Sequence, residues 1–399
     1  MSLKKTRFLL ILLAIAGLSF VSACDDGAGN ENPTDTTTAG DTAEDVSADT
    51  PSDVTTTNPD TTVEDTVVIG EPLPITWPTA PADYTANLSS YINTLTIPAT
   101  DKDDGPACCR DWGNISRDYI LNGTNQNDNA FAKLADGLKT FFNLQETLDA
   151  QLVDGSFALI WDHQEFNGET TDADNFVLVG LFGAFANATD FTTASAGTGE
   201  FTISDTSFKT GTGEPLIFFN PAEMTAGAMA AGPSTFYLNL PLGIVTLSLA
   251  VSEALIEATA TVGADGVTYS TGTLSGYIAI ADVVDAVNLY VSSPTCTCLG
   301  LQGPLYTLNS DGTITTACVT GAADLCTAAD ENICVTLASK EPAGGLPFSV
   351  CDYLPTLLTG LTDLDLDGNC ATDRDNCDYE GLSVGFGWTA VPATIVPAP

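Results

Sequence analysis

The sequence predicts a mainly β (α+β) fold: an antiparallel sheet or sandwich with a short N-terminal helical segment and a disulfide-rich C-terminal region. Three observations predict it. Apolar residues alternate with lighter ones within 236–262, apolar residues recur every three or four positions over 128–152, and eight cysteines lie within 291–378. Alternation is typical of a strand with one buried face, whereas a spacing of three to four residues is typical of an amphipathic helix.

The helical segment comes before the strands. Its apolar residues are Phe131, Leu134, Leu138, Phe141, Phe142, Leu144, Leu148 and Leu152. This spacing predicts one or two amphipathic helices. Asn127, Asp128 and Asn129 are the candidates to cap the first helix, because short polar side chains accept hydrogen bonds from its free N–H groups.

Short apolar runs predict the strands, at 157–161, 176–182, 216–219 and 236–262. The last run is followed by a gap containing Gly263, Asp265 and Gly266 and then by 267–280, an order that predicts a hairpin. A helix over 248–260 is the alternative interpretation. Gly381–Ile395 predicts a closing strand, twisted or closely approached at its glycines.

The first 23 residues predict an export signal. A positive start is followed by an apolar run at 8–21, about 14 residues and too short to span a bilayer as a helix. Val21-Ser22-Ala23-Cys24 resembles the lipobox of bacterial lipoproteins. The resemblance implies diacylglycerol on Cys24, cleavage before it, and acylation (palmitate) of the new amino terminus. Two or more acyl chains anchor a protein stably. An ordinary signal peptide with a chance cysteine is the alternative.

Residues 24–71 predict an acidic, Thr- and Asp-rich tether. Large apolar residues are almost absent from it before Val67. Such a segment cannot bury enough surface to offset its ordering entropy, so we expect a disordered stalk with a reach of roughly 35–40 Å. A β-rich domain over 72–290 follows, and the cysteine-rich region over 291–399 continues it.

The charge is strongly acidic. Lys and Arg number 11 against 52 Asp and Glu, for a net charge of −41. This balance excludes nucleic-acid binding and repels anionic headgroups, so membrane binding must come from the acyl anchor. Aspartate after the lipidated cysteine, as at Asp25 and Asp26, would favour retention in the inner membrane in enteric bacteria. Other groups of bacteria use different signals to sort lipoproteins between the two membranes. We expect the cell envelope, and the outer membrane (periplasmic or surface face) rather than the inner.

Ten cysteines remain if Cys24 carries lipid: Cys108, Cys109, Cys296, Cys298, Cys318, Cys326, Cys334, Cys351, Cys370 and Cys377. An even number in an exported chain predicts disulfides, although their connectivity cannot be read from sequence. We expect Cys370 and Cys377 to bond to each other. Bridging within the pair at 108–109 or the pair at 296–298 would be strained, so we expect those cysteines to pair outward; a redox role at 296–298 is the alternative.

An aspartate-rich segment at residues 363–375, called the acidic loop below, predicts a structural calcium (Ca2+) site. Its aspartates occupy positions 1, 3 and 5 and Gly368 position 6, an order that can wrap oxygen ligands around one cation. An EF-hand would have Glu at position 12, where Arg374 stands. The pattern resembles the thrombospondin type 3 repeat over about 15 residues. That resemblance implies ligands at Asp363, Asp365, Asp367, Asn369, Asp373 and Asp375. A solvated acidic turn is the alternative, but crowded carboxylates repel one another without a cation.

No catalytic residue is predicted. His163 is the sole histidine, and neither a Gly-x-Ser-x-Gly elbow nor a zinc-binding histidine pair is present. In layout the chain resembles uncharacterised lipoproteins of myxobacteria-like Gram-negative bacteria, which implies a compartment and no chemistry. We therefore expect a non-enzymatic surface or periplasmic binding or structural module with an unknown protein or small-molecule ligand. The alternatives are a lipid or small-molecule carrier with an apolar pocket between strands of 236–280, and a hydrolase using Asp162 and Glu165.

Overall fold

The computed structural model describes residues 71–77, 84, 87–98, 100–101, 105–106, 108–122, 127–138, 143–242, 245–328, 331–342, 348–371 and 378–398. The lipidation candidate Cys24 and the tether up to residue 70 lie outside these ranges. Asp373, Asp375 and Cys377 also lie outside them.

Among the described residues, strand residues outnumber helical residues, 40% against 28%, which confirms the mainly β prediction. The described strands are β1 Ser89–Thr96, β2 Thr100–Asp101, β3 Gly105–Pro106, β4 Leu159–Gln164, β5 Asp172–Phe185, β6 Gly199–Ile203, β7 Ile217–Thr225, β8 Ala228–Leu242, β9 Val245–Gly263, β10 Gly266–Ala279, β11 Tyr306–Leu308, β12 Ile314–Thr316 and β13 Gly381–Ile395.

Eight of these strands pair in a ring and close the sheet into a barrel. The order is β1–β4–β5–β7–β8–β9–β10–β13 and back to β1, with every neighbouring pair antiparallel. Strand β6 lies outside the ring, antiparallel to β5 and parallel to β13. The prediction of an antiparallel sheet is confirmed, and the alternative helix over 248–260 is wrong because those residues belong to β9.

The turn between β9 and β10 explains why this hairpin forms. Gly263 pairs with Gly266 across it, and Gly266 has φ 142°. A side chain at Gly266 would also lie 3.0 Å from the carbonyl oxygen of Ser89 on β1. Glycine is thus required both by the backbone conformation and by the close approach of another strand.

Large aromatic side chains fill the barrel. Trp161, Phe219, Phe236, Tyr269 and Trp388 are each at most 3% exposed. The cavity that remains between Trp161, Trp388 and their neighbours has a volume of about 10 Å³, no more than one water requires. The interior near these aromatic residues is therefore a packed core and not a ligand pocket.

Helices lie around the barrel and in the cysteine-rich region. They are α1 Arg117–Asn122, α2 Ala130–Leu138, α3 Leu144–Asp154, α4 Phe191–Thr193, α5 Ile280–Val291, α6 Ala322–Leu325, α7 Asn332–Ala338 and α8 Val350–Leu361. Helices α2 and α3 confirm the helical segment predicted near 128–152. Asn129 caps α2, since its Oδ1 accepts the N–H of Ala132 at 3.0 Å. Within the described ranges, no helix combines the length and the apolarity that crossing a membrane would need.

Three disulfides join described cysteines within the cysteine-rich region. They join Cys296 to Cys334, Cys298 to Cys326 and Cys318 to Cys351, with Cα–Cα distances of 5.4, 5.2 and 5.9 Å. These are ordinary disulfide spacings. Cys296 and Cys298 pair outward, as expected, so they do not form a redox pair with each other. The bridged cysteines Cys296, Cys326, Cys334 and Cys351 belong to a second hydrophobic cluster with Leu299, Leu305 and Leu337.

The expectation for Cys108 and Cys109 is wrong. These adjacent cysteines bond to each other instead of pairing outward. The peptide bond between them is cis and their Cα atoms are 3.0 Å apart. Cys370 is also disulfide-bonded, and its expected partner Cys377 lies outside the described residues.

Candidate metal centre

The acidic loop follows helix α8 and leads into β13. Leu364, in the first turn of the loop, is fully buried and forms bridges with Ser116 and with Gly381, the first residue of β13. The backbone N–H groups of Glu380 and Gly381 both donate to the carbonyl oxygen of Leu364, at 3.0 Å. The two ends of the loop are therefore held together at Leu364.

Asp365 organises the turn. Its two carboxylate oxygens accept the backbone N–H groups of Gly368 at 2.9 Å and Cys370 at 3.1 Å. Gly368 has φ 76°, a left-handed conformation that the turn requires and glycine adopts without strain. The sequence motif thus folds as its glycine predicts, with the loop curled around one buried carboxylate.

Three carboxylates converge at this turn. Asp365, Asp367 and Glu380 each place one oxygen within 4.8 Å of the others. Glu380 accepts the N–H of Leu366 at 2.9 Å through Oε2, while its Oε1 is buried and has no hydrogen-bond partner among the described residues. An acceptor that is buried and unused next to two other carboxylates is suited to a cation.

The pKa shifts of Glu380 and Asp365 agree with this geometry. Burial first, and then the charges of Asp367, Asp378 and Asp365, raises the pKa of Glu380 against the hydrogen bond from Leu366. Burial first, with a contribution from Asp367, raises the pKa of Asp365. Glu380 and Asp365 are harder to ionise because they are buried and lie close to other carboxylates, and a divalent cation between them would offset both effects.

Asp363 does not belong to the cluster. Its Oδ1 accepts the N–H of Ser383 at 2.8 Å and its Oδ2 accepts the Ser383 hydroxyl at 2.5 Å. Burial raises the pKa of Asp363 to about 6, against these hydrogen bonds. The same hydroxyl oxygen accepts the N–H of Ala130, at the start of α2. Asp363 therefore ties the loop to β13 and α2.

Of the remaining predicted ligands, only Asn369 lies within the described residues. Asn369 donates from its side chain to Asp367 and to Asp378, and its backbone N–H donates to Asp367 at 2.9 Å. Asp373 and Asp375 fall outside the described residues. Of the six ligands expected from the sequence, Asp365 and Asp367 belong to the described cluster, with Asn369 beside it.

Sequence reasoning missed Glu380 and Asp378. Both follow the motif in the chain and match no position of it, so motif spacing carries no signal for them. They reach the loop because β13 begins next to Leu364. The available signal was the pair of acidic residues immediately before a predicted strand.

The cluster suits a hard divalent cation. Three carboxylate oxygens are ligands that Ca²⁺ and Mg²⁺ prefer, and Ca²⁺ accepts an irregular set completed by carbonyl oxygens and water. The other group of candidate ligand residues, Cys298, Cys326 and Glu331, contains a disulfide and so offers no thiolate. Among the described residues, the loop is the place where oxygen ligands converge.

Asp162 and Glu165, the pair considered for hydrolysis, occupy different environments. Asp162 is fully buried and accepts hydrogen bonds from Asn87, Ser89 and Gln164. Burial raises its pKa to about 7, against these hydrogen bonds. Glu165 is exposed at the end of β4. The two carboxylates do not share an arrangement that resembles a catalytic pair facing one cleft.

No protein-family model matches the chain, and no curated protein or solved structure matches it.

Proposed function

We propose that this chain is an exported, lipid-anchored module of the cell envelope that acts by binding or by structure rather than by catalysis. In this proposal Cys24 carries the anchor, residues 24–71 form the tether, and the barrel with its cysteine-rich region is the folded body. A calcium ion at Asp365, Asp367 and Glu380 stabilises the loop before β13.

The disulfides are the observation that carries the proposal. Three bridges join cysteines that are 28 to 38 residues apart in the chain. Such bridges persist in oxidising compartments and are rare where thiols are kept reduced. They support export, which is also what the lipobox-like segment and its apolar run imply.

The packed barrel supports a role outside the barrel interior. A carrier that holds an apolar ligand within a sheet needs a cavity of hundreds of cubic ångströms, whereas the cavity between Trp161, Trp388 and their neighbours has a volume of about 10 Å³. The arrangement favours a body that presents its outer surface, held away from the bilayer by its tether.

Calcium would serve structure in this proposal. The cation would neutralise the carboxylates of Asp365, Asp367 and Glu380 and fix the turn that joins α8 to β13. A substitution of Glu380 is the most direct test for calcium at this site, because one of its carboxylate oxygens has no partner among the described residues.

The anchor is tested by Cys24→Ser in the natural host or in a Gram-negative expression host. We expect the wild-type chain in the membrane fraction, labelled by a clickable palmitate analogue, and the variant unlabelled and unprocessed or released. Ser22→Ala is the matched control, since it retains a small residue before the cysteine and should remain anchored. Separation of inner and outer membranes tests the expected outer-membrane location. A serine variant that is processed and held like the wild type would exclude the lipid anchor.

A further inference from the structure

An open groove lies between helix α5 and the hairpin of β8 and β9. Its volume is about 620 Å³. Apolar atoms contribute most of its surface, from Tyr237, Ala250, Ala286, Leu289 and Pro304 among others. Leu289 is 75% exposed, an unusual state for a large apolar side chain that borders a groove. The groove thus offers apolar contact area to solvent.

The hairpin wall of the groove is uncharged. Tyr237 and Ala250 are directly paired across β8 and β9, so they lie on the same face, while the next pair, Phe236 and Val251, is buried. The sequence contains no charged residue between Glu223 and Glu253, although the chain carries 52 acidic residues. One side of the groove therefore offers apolar contacts without charge.

The helical wall is acidic. Asp282 and Asp285 are three residues apart on α5, which places them on the same side of the helix. Neither carboxylate forms an ion pair with a described residue. Burial first, and then the charge of Asp285, raises the pKa of Asp282. Two neighbouring carboxylates, with no ion pair to a described basic side chain, therefore border an apolar groove.

The chemistry of the two walls selects the occupant. A second copy of the chain would bring a further net charge of −41, and the acidic tether would bring like charge as well. Anionic lipid headgroups are repelled for the same reason. A segment with an apolar side that rests on Leu289 and the hairpin, and a basic side that meets Asp282 and Asp285, fits both walls.

We propose that this groove binds a short cationic, amphipathic peptide segment of a partner protein, with an apolar side chain against Leu289 and lysine or arginine side chains against Asp282 and Asp285. The proposal deepens the binding role proposed above and rests on it, but it is independent of the lipid anchor and of calcium. Failure of the Cys24 or calcium experiments therefore leaves it intact, and its own failure leaves those two proposals intact.

The test measures binding of two fluorescent peptides to the full chain. One is a lysine–leucine amphipathic peptide of about 14 residues, a length at which an isolated helix is marginally stable in water. The other has the same sequence with glutamate in place of lysine. We expect the lysine peptide alone to bind. Asp282→Asn with Asp285→Asn should weaken it about fivefold, as expected for two partly exposed charge pairs. Leu289→Ser should weaken it about tenfold, through lost apolar contact.

Matched controls separate the groove from overall charge. Glu169→Gln with Asp265→Asn removes two exposed carboxylates elsewhere, and Leu325→Ser removes an exposed leucine elsewhere. Both should bind the lysine peptide as the wild type does. Asp285→Asn alone, at an exposed position, gives a second variant should the double variant lose its fold. Equal losses in groove and control variants, equal binding of the glutamate peptide, or an unaffected Leu289→Ser would overturn the proposal. So would Leu289-dependent binding of the non-acylated chain to phosphatidylcholine vesicles without peptide binding.

Discussion

The imidazole Nε2 of His163 lies 2.6 Å from the hydroxyl oxygen of Tyr269, and the two rings stack with their centroids 5.9 Å apart. The other ring nitrogen, Nδ1, lies 2.8 Å from the carbonyl oxygen of Leu88. A neutral ring that donates from Nδ1 and accepts at Nε2 satisfies both contacts. Burial lowers the pKa of His163 to about 4, so the only histidine of the chain is a neutral link between β4 and β10.

This link predicts a loss of stability in mild acid. The unfolded histidine takes up a proton near pH 6.5, whereas the folded one stays neutral down to about pH 4. The unfolded state thus binds more protons in that window, and stability falls as the pH falls through it, by up to about 3 kcal/mol from this group. Urea unfolding of the wild type and of His163→Gln at pH 7 and pH 4.5 measures the difference. The variant should be weaker at pH 7 but less sensitive to acid; parallel losses would exclude His163 as the source.

Asp162 predicts a pH dependence of the opposite sign. Its pKa is about 7 when folded, because it is buried, and near 3.8 when unfolded. The folded state therefore holds a proton that the unfolded state releases, and stability falls as the pH rises from about 4 to 7. Asp162→Asn removes this cost, so its free energy of unfolding should exceed that of the wild type by about 4 kcal/mol at pH 8, with no gain at pH 4. Asp265→Asn, at an exposed turn, is the control and should change neither value. A gain of the same size at both pH values would contradict the assignment to titration of Asp162.

Calcium should raise the melting temperature, and chelation should lower it. A ligand at a hundredfold excess over its Kd stabilises the folded state by about 2.7 kcal/mol. Glu380→Gln and Asp365→Asn should abolish the calcium response, whereas Glu169→Gln should retain it. Asp363→Asn separates the two roles within the loop: it should lower the melting temperature, through its hydrogen bonds to Ser383, and still respond to calcium. Scanning calorimetry measures each. An unchanged response in Glu380→Gln would remove the ion from this cluster.

Gly272 on β10 makes room for Trp388 on β13. A Cβ atom at position 272 would lie 2.3 Å from a ring carbon of Trp388, and the ring has little free space in the packed core. Gly272→Ala should therefore lower the free energy of unfolding by about 1–3 kcal/mol. Gly303→Ala, where nothing lies within 4 Å of the new methyl group, is the control. Urea midpoints followed by tryptophan fluorescence compare them, and equal midpoints would show that the ring shifts freely.

Local pattern was enough for much of the fold. The predicted closing strand has the bounds of β13, Gly381–Ile395, because alternation and flanking turn residues act over a few positions. The longest apolar run, 236–262, was harder to assign from its sequence. It includes parts of two strands, β8 and β9. Helix and strand both accept such residues, and the pairing of β9 with β8 and β10 decides between them.

Closure of the barrel and the membership of the carboxylate cluster depend on contacts that sequence spacing does not encode. Closure of the barrel needs β1 to pair with β13, for example Tyr91 with Val391. The carboxylate cluster needs Glu380, which tertiary pairing at Leu364 brings back to the loop. Asp363 fits the motif by position, yet Ser383 takes both of its oxygens.

Because β1 pairs with β13, the barrel can close only after both ends of its sequence are present. The barrel cannot close until residues 381–395 are available, so a chain threaded through a translocation channel from its N-terminus would wait with two open sheet edges, one on β1 and one on β10. Open edges of this kind recruit other strands and promote aggregation. For the exported chain proposed above, productive folding would begin only after release from the channel and would gain from a holding chaperone on the far side.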